Sequence, residues 1–147
     1  MSEQATATEQ QFQMPKHGEI CWTELATRNS EAAKSFYTEL FGWTIKESKV
    51  FEGSEGECSG AGMKYDEHYV GDKPQGGIYQ MGEEFGEAPS HWMSYVAVDD
   101  VDASAAKVTE LGGTVCVPPT DIPNVGRFAL INDPTGAAIA IITLKQH

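Results

Sequence analysis

Positive charge is what this sequence has least of. Ten Lys and Arg stand against 22 Asp and Glu in 147 residues, a formal charge of −12. Such a surface repels phosphodiester backbones and anionic headgroups, so neither nucleic acid nor a membrane is an expected partner. Cysteine is also scarce. Cys21, Cys58 and Cys116 are far apart and form no CxxC. An odd, scattered set suits no closed disulfide framework, and reduced thiols in a cytoplasmic protein are expected. Long apolar runs are missing. The longest, near Ala137 to Ile142, is too short to span a bilayer. The first residues lack the basic and apolar regions of a signal peptide. No P-loop, no GxGxxG after a strand and no GxSxG occurs, and the glycines from Gly53 to Gly62 lack the spacing of a phosphate cradle.

What is present is a core-sized share of hydrophobic residues, 40%, in a chain long enough for one ordinary domain. A pattern also recurs. Ile20 to Trp43 reads as strand, capped turn, amphipathic helix and stop, and the plan returns from Trp92 to Val115. Ala26 falls on Ala97, Asn29 on Asp100, Leu40 on Leu111 and Gly42 on Gly113. A repeat of this length implies a fold of two similar halves.

Residues 1–14 are polar and expected to be loose, with a single domain over 15–147. Module one spans about 18–82 and module two about 91–145. In module one a strand over Ile20 to Thr27 leads to Asn29 or Ser30 as helix cap. Ala32, Ala33, Phe36, Tyr37, Leu40 and Phe41 then form an apolar stripe, and Gly42 ends the helix. Trp43 to Val50 resumes as a strand. Two short strands, roughly Cys58 to Tyr65 and Gly77 to Met81, are expected around a polar loop from Asp66 to Pro74. Gly82 to Ser90 reads as the linker. Module two repeats the plan: a strand over His91 to Val98, Asp100 capping a helix over Val101 to Leu111, and a strand from Thr114 closed by Pro118-Pro119. After a loop over Thr120 to Gly126, strands over Arg127 to Ile131 and Ala137 to Leu144 flank the turn Asp133-Pro134-Thr135-Gly136. Each half is β-α-β-β-β, an α+β fold.

Several segments carry a family likeness: Ser35-Phe36-Tyr37 with Leu40-Phe41-Gly42-Trp43, Val98-Asp99-Asp100-Val101-Asp102, Leu111-Gly112-Gly113 and Asp133-Pro134-Thr135-Gly136. In their order and spacing the chain resembles the vicinal oxygen chelate superfamily of glyoxalase I, extradiol dioxygenases and bleomycin-resistance proteins. It is most similar to small bacterial glyoxalase-like proteins. The resemblance implies two βαβββ modules whose curled mixed sheets enclose a cleft, and a homodimer. It also implies divalent-metal ligands on the first and last strand of each module, where His, Gln or Glu would supply hard donors. Counting from the caps and the turn, those positions hold Trp22, Met93 and Ala140, with the fourth near Tyr79. None is an ordinary ligand, so neither metal nor cofactor is expected.

The expected role is a glyoxalase-like protein that binds a small organic ligand in the cleft. The alternative is a glyoxalase-type lyase or isomerase, or a dioxygenase, using a divalent metal held by atypical ligands. Strand parity aims Trp22, Glu24, Met93 and Tyr95, with Tyr79 and Met81, into the cleft; packing alone would explain Trp22, Met93 and Ala140 equally well. Glu24 is the candidate catalytic group, a base for a proton beside a carbonyl, unless it is paired structurally with Arg127 or a tyrosine. Arg127 is a candidate grip for an anionic ligand, against a surface ion pair. His68 is assigned to a loop. Asp99, Asp100 and Asp102 are assigned to the start of the second helix rather than to a metal. Cys21 and Cys116 have no evident base nearby and are not read as nucleophiles.

Overall fold

The structure, a computed structural model, describes residues 14–48, 65–123 and 125–145. Eight strands and two helices follow in the order β1 (Ile20–Thr27), α1 (Ser30–Phe41), β2 (Thr44–Glu47), β3 (Tyr65–Val70), β4 (Lys73–Gln80), β5 (His91–Ala97), α2 (Val101–Glu110), β6 (Thr114–Ile122), β7 (Gly126–Asn132) and β8 (Ala138–Leu144). They form one mixed sheet in the order β2-β3-β4-β1-β5-β8-β7-β6. The order is its own mirror image about the β1–β5 junction. Each first strand runs parallel to the last strand of its module, β1 to β4 and β5 to β8, while β1 and β5 meet antiparallel. This is the two-module α+β fold that the repeat implies.

The caps form as the sequence implies. Asn29 accepts from Ala32 N at 3.0 Å, and Asp100 accepts from Ala103 N at 3.2 Å. Each occupies a free amide of the first turn, where no intrahelical acceptor is available. Gly42 ends α1 at φ 74°, a left-handed conformation that costs glycine little.

Both helices lie on one face of the sheet. Val101 of α2 packs on Ala129 and Ile141, with Val96, Val98 and Ile131 around them. Helix α1 is held differently. None of its residues is fully buried, and Phe36, Leu40 and Phe41 of the apolar stripe stay more than half exposed. It rests on the sheet through Tyr37, whose ring lies against Trp43 and Trp92, and through Lys34, whose Nζ is 2.9 Å from buried Asp66. The other face of the sheet carries Tyr95, Ala140 and Ile142, with Trp22, Met93, Phe128 and Leu144 packed on them. Side chains alternate between these faces along each strand.

Three expectations change. The loop read over Asp66 to Pro74 is instead β3, a two-residue turn at Gly71-Asp72 and the start of β4. Its polar residues are partnered or packed inside the structure, with both buried ring nitrogens of His68 left without a hydrogen bond among the described residues, so their polarity did not signal solvent. Asp66 pairs with Lys34, Glu67 accepts from Tyr69 Oη at 3.1 Å, and His68 stacks on Trp43 with ring centroids 4.0 Å apart. His68 is thus a buried strand residue rather than a loop residue. The earlier strand expected over Cys58 to Tyr65 lies outside the described residues except for Tyr65, as do the segment 1–13 and the end of the strand expected to reach Val50. Second, β6 does not stop at Pro118-Pro119. The ladder skips from Val117↔Leu130 to Thr120↔Phe128, so the prolines sit in an irregularity where their missing N–H groups break no ladder bond. Third, Ala140 pairs with Tyr95, and the equivalent partner of Glu24 is Gly77. The fourth family position is therefore Gly77 rather than Tyr79.

The linker Gly82 to Ser90 is tied to module one. Arg28 Nε donates to Ala88 O at 2.9 Å, its Nη2 to Gly86 O, and its backbone N–H to Ser90 Oγ at 2.9 Å.

Candidate functional site

Glu24 stands in the middle of β1, between Gly77 of β4 and Met93 of β5. Phenols from both modules hold its carboxyl group. Tyr65 Oη donates to Oε2 at 2.8 Å and Tyr95 Oη donates to Oε1 at 2.9 Å. Trp22 Nε1 in turn donates to Tyr65 Oη at 3.0 Å. The result is a chain of hydrogen bonds that converges on one carboxylate.

The repeat explains part of this convergence. Glu24 and Tyr95 are 71 positions apart, the offset of the two modules, so equivalent positions of β1 and β5 meet where these central strands pair. Tyr65 arrives from β3, two strands away, by lying across β4. A Cβ at Gly77 would stand 1.8 Å from Tyr65 Oη, so only glycine leaves room for this reach. The space that a β4 side chain would fill at this family position is taken by a phenol.

Burial sets the protonation of the group. Loss of hydration raises the pKa of the Glu24 carboxyl above its ordinary value, against the opposing pull of the two phenol hydrogen bonds and of His91. Glu24 retains some accessible surface, but that surface faces the cavity and the carboxyl is ringed by protein. Both tyrosines are pushed well up, first by burial and then by the Glu24 charge. They remain protonated donors throughout the neutral range.

The carboxyl group opens on a cavity of about 270 Å³. Glu24, Tyr65, Tyr95, Trp22 and Glu67 form its polar side. Ile122, Val125, Ile142, Leu144 and Cys21 form the apolar side. The pairing of β1 with β5 is irregular between Ile20 and Trp22, which lets the successive residues Cys21 and Trp22 both reach the cavity. Burial holds the Cys21 thiol above its usual pKa, so it carries no thiolate at neutral pH.

Of the residues picked from the sequence, Trp22, Glu24 and Tyr95 line this cavity. Tyr79 does not; its ring lies nearly parallel to that of Tyr65 at 6.2 Å and meets Phe85 at 5.9 Å. Met81 is buried beyond the end of β4, and its N–H donates to Thr27 O. Met93 packs into the cluster of Tyr95, Ala140 and Ile142. Arg127 is elsewhere, in an exposed triad with both oxygens of Asp102, at 2.8 and 3.1 Å, and with Asp121 at 3.0 Å. The structural partner of Glu24 is thus tyrosine and not Arg127. Glu67 was missed because its strand was read as a loop, and Tyr65 because it falls at the end of an earlier expected strand, although Tyr65, Glu67 and Tyr69 recur at a period of two. Ile142 and Leu144 were legible by the same alternation, counted on from Ala140.

Comparison with known proteins places this geometry. Residues 19–141 match the sequence profile of the Glyoxalase/Bleomycin resistance protein/Dioxygenase superfamily. The chain belongs to that superfamily. Among relatives within reach of sequence comparison, "Putative glyoxylase CFP32" of Mycobacterium tuberculosis is 38% identical over 125 residues, covering 85% of this chain and 44% of the relative. Anthracycline biosynthesis protein DnrV of Streptomyces peucetius is 33% identical over 131 residues, covering 84% of this chain and 46% of the relative. This chain thus spans under half the length of either. A variant methylmalonyl-CoA epimerase of Streptomyces coelicolor, solved with 2-nitronate-propionyl-CoA, superposes with a TM-score of 0.61 at 15% identity, over 89% of this chain and all of that one. Methylmalonyl-CoA epimerase from Mycobacterium tuberculosis gives 0.59 at 14% identity, over 93% and 96%. Those two likenesses are of fold.

For this member of the glyoxalase superfamily, the four positions at which the family resemblance implies metal ligands carry Trp22, Gly77, Met93 and Ala140. An indole, a hydrogen, a thioether and a methyl group do not make a donor set for a hard divalent cation. Among the described residues no group of three or more His, Cys, Asp or Glu stands at metal-binding spacing, and no helix is long and apolar enough to cross a membrane.

Proposed function

We propose that this chain binds a small organic molecule in the cavity between its modules and orients it on Glu24, without a divalent ion. One observation carries the reading: a carboxyl group, held by a phenol from each module, faces a mostly apolar cavity. Burying an ionisable group away from water costs several kcal/mol unless it is well partnered. A site meant only as core would be filled more cheaply by a Leu at this position. A mostly apolar cleft with a few fixed polar groups is the usual form of a small-molecule site. Pairing of two copies, implied by the family resemblance, and a cytoplasmic setting, expected from the scattered cysteines, belong to the same reading.

The test is calorimetric titration with 2-naphthalenemethanol, a fused-ring body with one hydroxyl. Wild type is expected to bind it. Val125→Trp, which fills the apolar side without touching Glu24, is expected to lose at least about tenfold in affinity. Elemental analysis of the purified protein is expected to find no stoichiometric divalent metal, and added nickel or zinc is expected to leave the titration unchanged. Stoichiometric metal, or binding untouched by Val125→Trp, would sink the proposal.

A second reading has one observation in its favour. The raised pKa of Glu24 suits a base that takes a proton from carbon beside a carbonyl, as a lyase or isomerase of the glyoxalase type would require. Under that reading, turnover of a hemithioacetal would vanish in Glu24→Gln while binding of the alcohol probe persisted.

A further inference from the structure

The polar side of the cavity has an asymmetry that fixes what a ligand must bring. Among the described residues, each indole and phenol proton at that end is already committed. The Trp22 N–H goes to Tyr65 Oη, the Tyr65 hydroxyl proton to Glu24 Oε2 and the Tyr95 hydroxyl proton to Glu24 Oε1. Glu67, the second carboxylate on the wall, accepts from Tyr69 Oη and, at 3.4 Å, from Ser48 Oγ. What is left over is acceptor capacity. A carboxylate offers about four lone-pair positions, and each Glu24 oxygen has one phenol on it. The charge inventory agrees. The described lining holds two carboxylates and no Lys, Arg or His. Among the described cations outside the lining, Arg127 is with Asp102 and Asp121, Lys34 is with Glu31 and Asp66, and Lys46 sits over the Tyr69 ring at 4.4 Å. His91, which lies close enough to act on Glu24, has its Nδ1 on Pro89 O at 2.8 Å.

We infer that the cavity selects a ligand with a hydrogen-bond donor head, an ammonium first and a hydroxyl or N–H second, on an apolar body, and that it rejects carboxylates and phosphates. The donor head meets Glu24, with Glu67 reinforcing the preference for positive charge, and the body lies against Ile122, Val125, Ile142 and Leu144. An anionic head would face two carboxylates and, among the described lining residues, no uncommitted N–H or O–H donor, so both Coulomb repulsion and unpaired lone pairs act against it. This inference rests on the ligand-binding reading above and adds the class of molecule.

The experiment uses three probes with the same fused-ring body: 2-naphthylmethylamine, protonated at pH 7, 2-naphthalenemethanol and 2-naphthoate. Calorimetric titration of wild type at 150 mM salt is expected to rank amine above alcohol, with naphthoate at least about a hundredfold weaker than the amine. Glu24→Gln is expected to bring the amine to within about threefold of the alcohol. Naphthoate binding as tightly as the amine would overturn the inference and leave the ligand-binding reading standing. An amine preference that survives Glu24→Gln and disappears in 0.5 M salt would also overturn it, since the overall charge of −12 would then be its source. If none of the three probes binds, the ligand-binding reading itself has failed. The wild-type ranking needs no variant, so a poorly folding Glu24→Gln would not rescue the inference.

Discussion

Glu24→Gln should change how stability depends on pH, and the sign follows from the site. The Glu24 pKa is raised in the folded chain, first by loss of hydration, above the 4.5 of an unperturbed carboxyl. The folded state therefore holds this proton more tightly than the unfolded state does. Below pH 4.5 both states are protonated, and the wild-type group carries no penalty. Between pH 4.5 and the raised folded value, the unfolded state ionises freely while the folded state resists. Stability falls through this window by up to about 1.4 kcal/mol per pH unit, the limit for one proton. Above it the loss is complete and constant. Glutamine has no such proton. Its amide still receives a phenol hydrogen bond, so it adds an offset but no slope. The measurement is urea denaturation of both proteins at half-unit steps from pH 4 to pH 8. Wild type minus variant should decline as pH rises past 4.5 and then level off, and the levelling point gives the folded pKa. Tyr95→Phe removes a bond that favours the charged form, so its levelling point should lie higher. A flat difference, or one that rises with pH, would refute the account of burial at this site.

Gly77→Ala would drive a methyl group against Tyr65 Oη. It should cost about 1–3 kcal/mol in denaturant and weaken probe binding together, since the phenol must leave Glu24. Asn29→Ala and Asp100→Ala each remove a cap seen in the structure. Each should lose about 1 kcal/mol in the same assay, and the double variant should lose the sum, because the caps sit on separate helices. Lys34→Met leaves the buried Asp66 carboxylate without the Nζ partner at 2.9 Å, at a cost of about 3–5 kcal/mol at neutral pH. Asp66→Asn in that background should recover part of the loss, and no recovery would assign the effect to packing. Ile78→Ala, at a fully buried position on β4, should cost about 2–5 kcal/mol.

Helix boundaries were legible because a helix is a local object. Its cap, its stripe and its stop lie within a dozen residues, and Asn29, Gly42 and Asp100 occupy the places their chemistry assigns. The duplication was legible because it is written twice. The segment from Asp66 to Pro74 was not. Its polar residues read as loop, and only Lys34 and Trp43, brought from elsewhere in the fold, pair with Asp66 and cover His68, while Tyr69 of the same strand donates to Glu67. Arg127 shows the converse. A lone arginine at a strand start suggests an anion grip, and its commitment to Asp102, 25 residues away, depends on where α2 lies over β7.

By itself, then, the order of residues determined two βαβββ modules, their helix ends and the absence of hard metal ligands at Trp22, Met93 and Ala140. These are matters of spacing within a module and of side-chain identity. Only the tertiary structure decided that Gly77 is the fourth such position, that Tyr65 crosses it, and that Tyr65 and Tyr95 converge on Glu24 over one apolar cavity. Those facts depend on strand register and on the pairing of β1 with β5. A shift of two residues between β1 and β5 would keep every local pattern and every side-chain face, yet would part the carboxylate from Tyr95.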